Sequence, residues 1–107
     1  MSLSIHNVKF TYAKELSVEL EFIIARNKVE GNELIKLNLE NTDLSSKYKS
    51  AVSRLLKSIK RDGVIRLFVF EDELVIQEKT ESIYLLNKFP FLSEIKDADS
   101  CAVYIKL

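Results

Sequence analysis

The stretch Leu16-Ser17-Val18-Glu19-Leu20-Glu21-Phe22-Ile23-Ile24 decides how the first half of the chain is read. Leu16, Val18, Leu20, Phe22 and Ile24 alternate with Ser17, Glu19 and Glu21, and a period of two marks a strand with one buried and one wet face. Read that way, it is a strand whose exposed face is acidic. Upstream, residues 3–12 place Val8, Phe10 and Tyr12 on one face. Leu3 and Ile5 have the opposite parity, which predicts either a bulge near His6-Asn7 or a late strand start. Downstream, residues 27–32 form a turn region, and Ile35, Leu37 and Leu39 alternate with Lys36, Asn38 and Glu40 in a third strand. Three consecutive strands with short connections predict an antiparallel meander, whose wet face is free to be polar.

Residues 44–61 break the alternation. Leu44, Tyr48, Ala51, Val52, Leu55 and Ile59 recur at steps of three and four, so a helix would gather them into one stripe. Asn41-Thr42-Asp43 supplies side chains able to cap the first turn. At the other end Lys60-Arg61-Asp62-Gly63-Val64 puts cations on the negative end of the helix dipole and a glycine where the chain turns left-handed. Val64 falls where a Schellman cap would bring it to Ile59. The helix is expected to cross the buried face of the meander.

That helix carries Lys47, Lys49, Arg54, Lys57, Lys60 and Arg61 and no acid. The whole chain has 16 basic and 16 acidic residues, so removing these six leaves 10 basic against 16 acidic. A net charge of zero therefore conceals a helix of +6 on a body of −6. Lys47, Ser50, Arg54, Lys57 and Arg61 follow one another at helical spacing and form a ridge opposite the apolar stripe. Two readings stay open: a surface for a polyanion or an acidic partner, or a solvated face whose charge is met by acids on neighbouring elements.

The remainder of the chain reads as follows. Residues 64–70 are apolar except for Arg66, which predicts a strand in the sheet interior. Glu71-Asp72-Glu73 reads as an acidic turn leading to a strand over residues 74–77, a second hairpin. Three adjacent acids cannot all point at one cation, so a solvated tip is preferred to a metal site. Residues 80–86 fit a short helix or another strand, since periodicity does not separate them. Phe89-Pro90-Phe91-Leu92 ends that element, because proline restricts its predecessor, and forms either a lid on the core or an exposed docking knob. Residues 96–100 are a polar loop, and Cys101, Val103, Ile105 and Leu107 share one parity in a final strand.

The length of 107 residues predicts one domain over 1–107. No apolar run reaches the 18 or so residues of a membrane span, and the N-terminus lacks the basic start and apolar stretch of a signal peptide. One cysteine, Cys101, allows no intrachain disulfide. The expectation is a soluble, cytoplasmic protein. With two glycines and one proline, glycine-rich phosphate loops and flexible linkers are excluded.

Few residues in the chain are able to carry a catalytic signature. One histidine and one cysteine lie on the first and last predicted strands, so a His6–Cys101 dyad requires those strands to be neighbours. A structural zinc site needs three or four ligands and cannot be built from one His and one Cys. Glu19 and Glu21 are paired carboxylates, at the spacing any exposed strand face gives. No nucleotide-binding, nucleophile-elbow or metalloprotease motif occurs. For nucleic acid, the basic ridge argues in favour. The pI near 6.6 and the absence of aromatic residues interleaved with the cations argue against.

These readings converge on a single α+β domain: a five- or six-stranded, mostly antiparallel sheet with one long amphipathic helix packed on one face. The function expected is non-enzymatic. It is binding or regulation through protein–protein contacts at surface charge and exposed sheet edges, with neither metal nor cofactor and no small-molecule substrate evident. Partner binding falls to Lys47, Arg54, Lys57 and Arg61, flanked by Lys49 and Lys60. A homodimer in which the basic helix of each copy faces the acidic strands of the other follows from the charge split. The alternative is backbone-directed nucleic-acid binding through the same helix face.

Overall fold

The computed structural model of the chain describes residues 3–41 and 48–107. Its first correction falls on the opening stretch. Residues 16–24 are not a strand; they lie inside a helix, α1 (Ala13–Glu30). Leu16, Leu20, Ile23, Ile24 and Asn27 are buried, a spacing of four, three, one and three that belongs to one helical face. The price of that face is paid by the residues the alternation had placed inside: Val18 and Phe22 point outward, and Phe22 is 72% exposed. The Tyr12 N–H donates to Glu15 Oε1 at 3.1 Å, closing the first turn. Gly31 ends the helix at φ 77°, and the Asn32 N–H donates to the Asn27 carbonyl at 3.0 Å.

A helix there replaces the meander by a parallel crossover. β1 (Leu3–Phe10) and β2 (Leu34–Asn41) pair in parallel, in a register that runs unbroken from Leu3↔Leu34 to Phe10↔Asn41. The bulge near His6-Asn7 is therefore absent. The chain continues through α2 (Tyr48–Arg61) to β3 (Leu67–Phe70), then α3 (Glu71–Ile76), α4 (Thr80–Lys88), a 3-10 turn (Pro90–Glu94) and β4 (Ala102–Lys106). The sheet has four strands in the order β1-β2-β4-β3, not five or six, and β4 is antiparallel to both its neighbours. β2 and β3 are thus parallel to each other, with the last strand inserted between them. The fold is one mixed α/β domain around one sheet.

Helices cover both faces, where the sequence reading placed one helix on one face. On the first, α1 and α2 pack Leu16, Leu20, Ile24, Val52 and Leu56 against Val8, Ile35, Leu37, Val103 and Ile105. On the second, Leu74 of α3 and Leu85 of α4 join Phe89 and Leu92 against Leu34, Val69 and Tyr104. Every residue of β4 is buried, as expected of a strand central to a sheet covered on both sides. β3, expected in the interior, is an edge strand.

The acidic run is explained by the same switch. Glu71, Asp72 and Glu73 form the first turn of α3, where carboxylates meet the positive end of the helix dipole; no second hairpin forms. Thr80–Lys88 is helical, which decides the open segment, and the helix ends immediately before Phe89-Pro90. Phe89 is buried and Phe91 packs on the second core cluster, so the pair is a lid and not a knob. The basic helix keeps its expected stop: Gly63 has φ 78° and the Val64 N–H donates to the Ile59 carbonyl at 2.9 Å. Its expected first residues, 44–47, and the Thr42-Asp43 cap lie outside the described residues.

Among the described residues, three hold left-handed backbone: Gly31, Gly63 and Gln77, the last at φ 60° after α3. No heavy atom lies within 4 Å of where a β-carbon would sit at either glycine, so only the backbone angle resists substitution. Gly31→Ala and Gly63→Ala are each expected to lower unfolding free energy by about 1 kcal/mol, and Gln77→Gly to raise it by up to about 1 kcal/mol. Urea titration of the three variants checks the opposite signs.

Candidate functional site: a groove between the basic helix and the edge strand

The solvent side of α2 does not face open water along its whole length. Val52 and Leu56 anchor the helix on the first core cluster, with Leu55 and Ile59 partly buried beside them. That rotation turns Lys49, Arg54, Lys57 and Lys60 toward β3. They form one wall of a groove of about 680 Å³, together with Ser50 and Ser53. Phe68 and Phe70 of β3 lie in it, and Glu73, Lys79 and Glu81 contribute from α3 and the start of α4. The groove therefore wraps the outer edge of a strand that, among the described residues, pairs only with β4.

Its electrostatics are asymmetric. Lys49 pairs with Asp72 at 2.9 Å and sits 4.7 Å from the centre of the Phe70 ring, an arrangement that combines ion pairing with a cation–π contact. Lys79 is bound to Glu73. Among the described residues, Arg54, Lys57 and Lys60 have no carboxylate partner. One wall is thus cationic, with three charges that meet no carboxylate among the described residues, and the facing side carries Glu81 and the Glu73–Lys79 pair. Lys49 has its charge met by Asp72, while Arg54, Lys57 and Lys60 are exposed to solvent.

Of the residues singled out in the sequence, Lys49, Arg54, Lys57 and Lys60 come together in the groove. Arg61 is exposed at the helix end and does not line it. Lys47 lies outside the described residues. Phe68, Phe70, Glu73, Lys79 and Glu81 were missed. The aromatic pair escaped because residues 64–70 were read as an interior strand, where both rings would be plain core. The rings pack edge to face, 6.3 Å between centres and 84° between planes; Phe70 is buried while Phe68 is only half-buried.

Two other clusters bring polar side chains together. Buried Glu71 accepts the Tyr104 hydroxyl at 2.8 Å and the Asp99 N–H at 2.9 Å, with Lys36 Nζ at 3.3 Å. Burial first, and then the Glu71 hydrogen bond and charge, raise the Tyr104 pKa well above the ordinary phenol value. Both carboxylate oxygens are engaged, so the cluster is a structural tie. On the first strand, His6 Nε2 lies 2.7 Å from Ser4 Oγ and accepts from Asn27 Nδ2 at 3.1 Å. Asn27 Nδ2 also donates to the Ile23 carbonyl, and its Oδ1 accepts from Asn32.

β2 separates β1 from β4, which Cys101 immediately precedes, so the strand of His6 is not a neighbour of the one Cys101 leads into and the dyad loses its premise. Glu19 and Glu21 lie on α1, two residues apart on a helix, where side chains do not face each other. The acidic strand face on which the self-complementary dimer was built does not exist. Among the described residues, no group of three His, Cys, Asp or Glu side chains is placed to hold a metal ion, and no helix is long and apolar enough to cross a membrane. No protein-family model matches the chain, and no curated protein or solved structure is significantly similar to it.

The Tyr104 shift has a sign. A phenol whose folded pKa is raised releases its proton in the unfolded chain first, so its stabilising contribution is complete below about pH 10 and is lost as pH rises beyond it. Tyr104→Phe is expected to lower stability by about 1–3 kcal/mol at neutral pH, because Glu71 loses a donor. It is also expected to show a shallower alkaline loss than the parent chain. Urea midpoints measured from neutral to strongly alkaline pH test both statements.

Proposed function

We propose that the chain is a non-enzymatic protein-binding module that takes an extended, acidic segment of a partner protein into the groove between α2 and β3. The observation that carries this reading is the coincidence of an outward-facing strand edge with a row of cations that have no carboxylate partner among the described residues. An edge strand offers backbone N–H and C=O groups to a further strand, and flanking pockets for alternate side chains supply specificity. Phe68 provides half-buried apolar area for one set of side chains, and Arg54, Lys57 and Lys60 provide partners for carboxylates on the other.

The dimensions agree. From Lys49 to Lys60 the helix rises roughly 17 Å at 1.5 Å per residue, the length of about five residues of extended chain. The same cations suit a phosphate backbone, the competing reading, and the half-buried Phe68 ring now gives it an aromatic surface. Glu81 favours a peptide, since Glu73 is already neutralised by Lys79. A nucleic acid is anionic along its whole length and would meet that acid, whereas a peptide presents carboxylates to one wall and neutral or basic side chains to the other.

Fluorescence anisotropy with a labelled extended acidic peptide, a lysine-substituted version of it, and single- and double-stranded oligonucleotides separates the readings. The acidic peptide is expected to bind, more weakly as salt rises. Arg54→Glu/Lys57→Glu is expected to raise its Kd by about tenfold or more, the equivalent of roughly 1.4 kcal/mol. Binding of oligonucleotides alone, with log affinity falling against log salt at a slope of about −2 to −4, would replace the peptide by a phosphate backbone. Equal binding of acidic and lysine-substituted peptides would remove the role of the cations.

A further inference from the structure

The opposite edge of the sheet is built differently, and from it we infer a second surface: β1 and the outer side of α1 join two copies of this chain. β1 is eight residues long and pairs without a bulge along its whole length with β2 on one side, while its other side pairs with no strand among the described residues. It contains no proline and one charged side chain, Lys9, near its end. Long, regular edges are normally blunted by charges, proline, bulges or brevity. β3 is kept to four residues, but β1 has none of these safeguards beyond Lys9.

Beside that edge lies exposed apolar surface. Phe22 of α1, with Val18 one turn before it, stands next to residues 5–8 in the middle of β1, in a depression of about 420 Å³ that also includes Glu19 and Arg26. Ile5 is exposed on the strand itself.

The occupant is a second copy because the surface is its own complement. Antiparallel pairing of two β1 strands requires a two-fold axis perpendicular to the sheet at the strand's middle, and such an interface is isologous. Since Phe22 is level with that middle, the same axis brings the two Phe22 rings together. It also sets the two α1 helices antiparallel on one side of the extended sheet. With strands about 4.8 Å apart, α1 axes set inward of their edge strands by about 2 Å each meet at roughly 8–10 Å, ordinary packing distance. Glu19 and Arg26 flank Phe22 on either side along α1, so the axis carries Glu19 of each copy toward Arg26 of the other. Among the described residues of one chain Arg26 has only the exposed pair with Glu30 at 3.1 Å, worth a few tenths of a kcal/mol.

Sedimentation equilibrium at low salt tests the surface, with circular dichroism to confirm that each variant is folded. The parent chain is expected at twice its 12.3 kDa mass. Phe22→Arg and, separately, Glu19→Arg are expected to give monomer, and Glu19→Arg/Arg26→Glu is expected to recover the dimer. Arg54→Glu/Lys57→Glu, which alters the groove at the other edge, is expected to leave it unchanged, so this surface and the peptide groove stand or fall separately. A parent chain that stays monomeric at hundreds of micromolar overturns the proposal. So does a dimer that survives Phe22→Arg or is broken by the groove variant.

Discussion

The buried carboxylate of Glu71 fixes the arrangement on which the second half of the molecule depends. It follows directly on Phe70, the last residue of β3, and is the first residue of α3. Its oxygens are held by Tyr104 from β4, Lys36 from β2 and the Asp99 amide of the loop entering β4. Three separate parts of the chain thus converge on one charge. A buried carboxylate stripped of its partners costs several kcal/mol, so a chain direction at residue 71 that broke this set would be strongly disfavoured. β3 therefore stops after four residues, and the chain turns onto the second face as a helix.

Everything on the far wall of the groove follows from that turn. With α3 started at Glu71, Asp72 falls within reach of Lys49 on α2, and Glu73 falls beside Lys79. Ser82, fully buried in α4, donates to the Glu73 carbonyl at 3.1 Å and ties the two short helices together. A hairpin at residues 71–77 would have covered the outer edge of β3 with another strand. The helix leaves that edge open and places acids along one side of it, opposite the cations of α2. The mixed sign of the groove is thus a consequence of how Glu71 is satisfied.

What could be read in the sequence divides along physical lines. α2, β1 and β2 were legible because their burial is one-sided or their ends are marked: Gly63 is the clearest case, and the parity of Ile35, Leu37 and Leu39 is another. The stretch at 16–24 was ambiguous in principle. Leu16, Leu20 and Ile24 are two steps of four apart, which satisfies a period of two and a helical turn alike, so the outcome rested on Val18 and Phe22. Exposing them runs against their hydrophobicity, and the choice of helix is supported by Gly31 as a left-handed stop and by an 18-residue run without proline or glycine. β4 misled for a different reason: a strand buried on both faces carries Tyr104 and Lys106, polar-tipped residues that resemble a wet face. The cationic half of the groove was visible from residue spacing, but its aromatic and acidic parts come from elements 8–32 residues away in sequence, and only the topology sets them beside α2.

The two edges of the sheet place different demands on the chain. A short strand beside charged helices suits a transient ligand, because little apolar area is buried and the ion pairs exchange readily with water. A long regular strand with a 72% exposed phenylalanine beside it suits a lasting contact, because backbone pairing and apolar burial act together. If β1 joins two copies, the sheet becomes eight-stranded and the two grooves lie at its outer edges, about 34 Å apart at 4.8 Å per strand. An extended segment of five residues spans only about half that distance, so one segment cannot fill both grooves. A partner carrying two acidic segments on a sufficiently long linker could, and its second attachment would be governed by effective concentration and not by further contact area. A modest affinity at each groove would then suffice, which is what an open, partly solvated groove of this size is suited to supply.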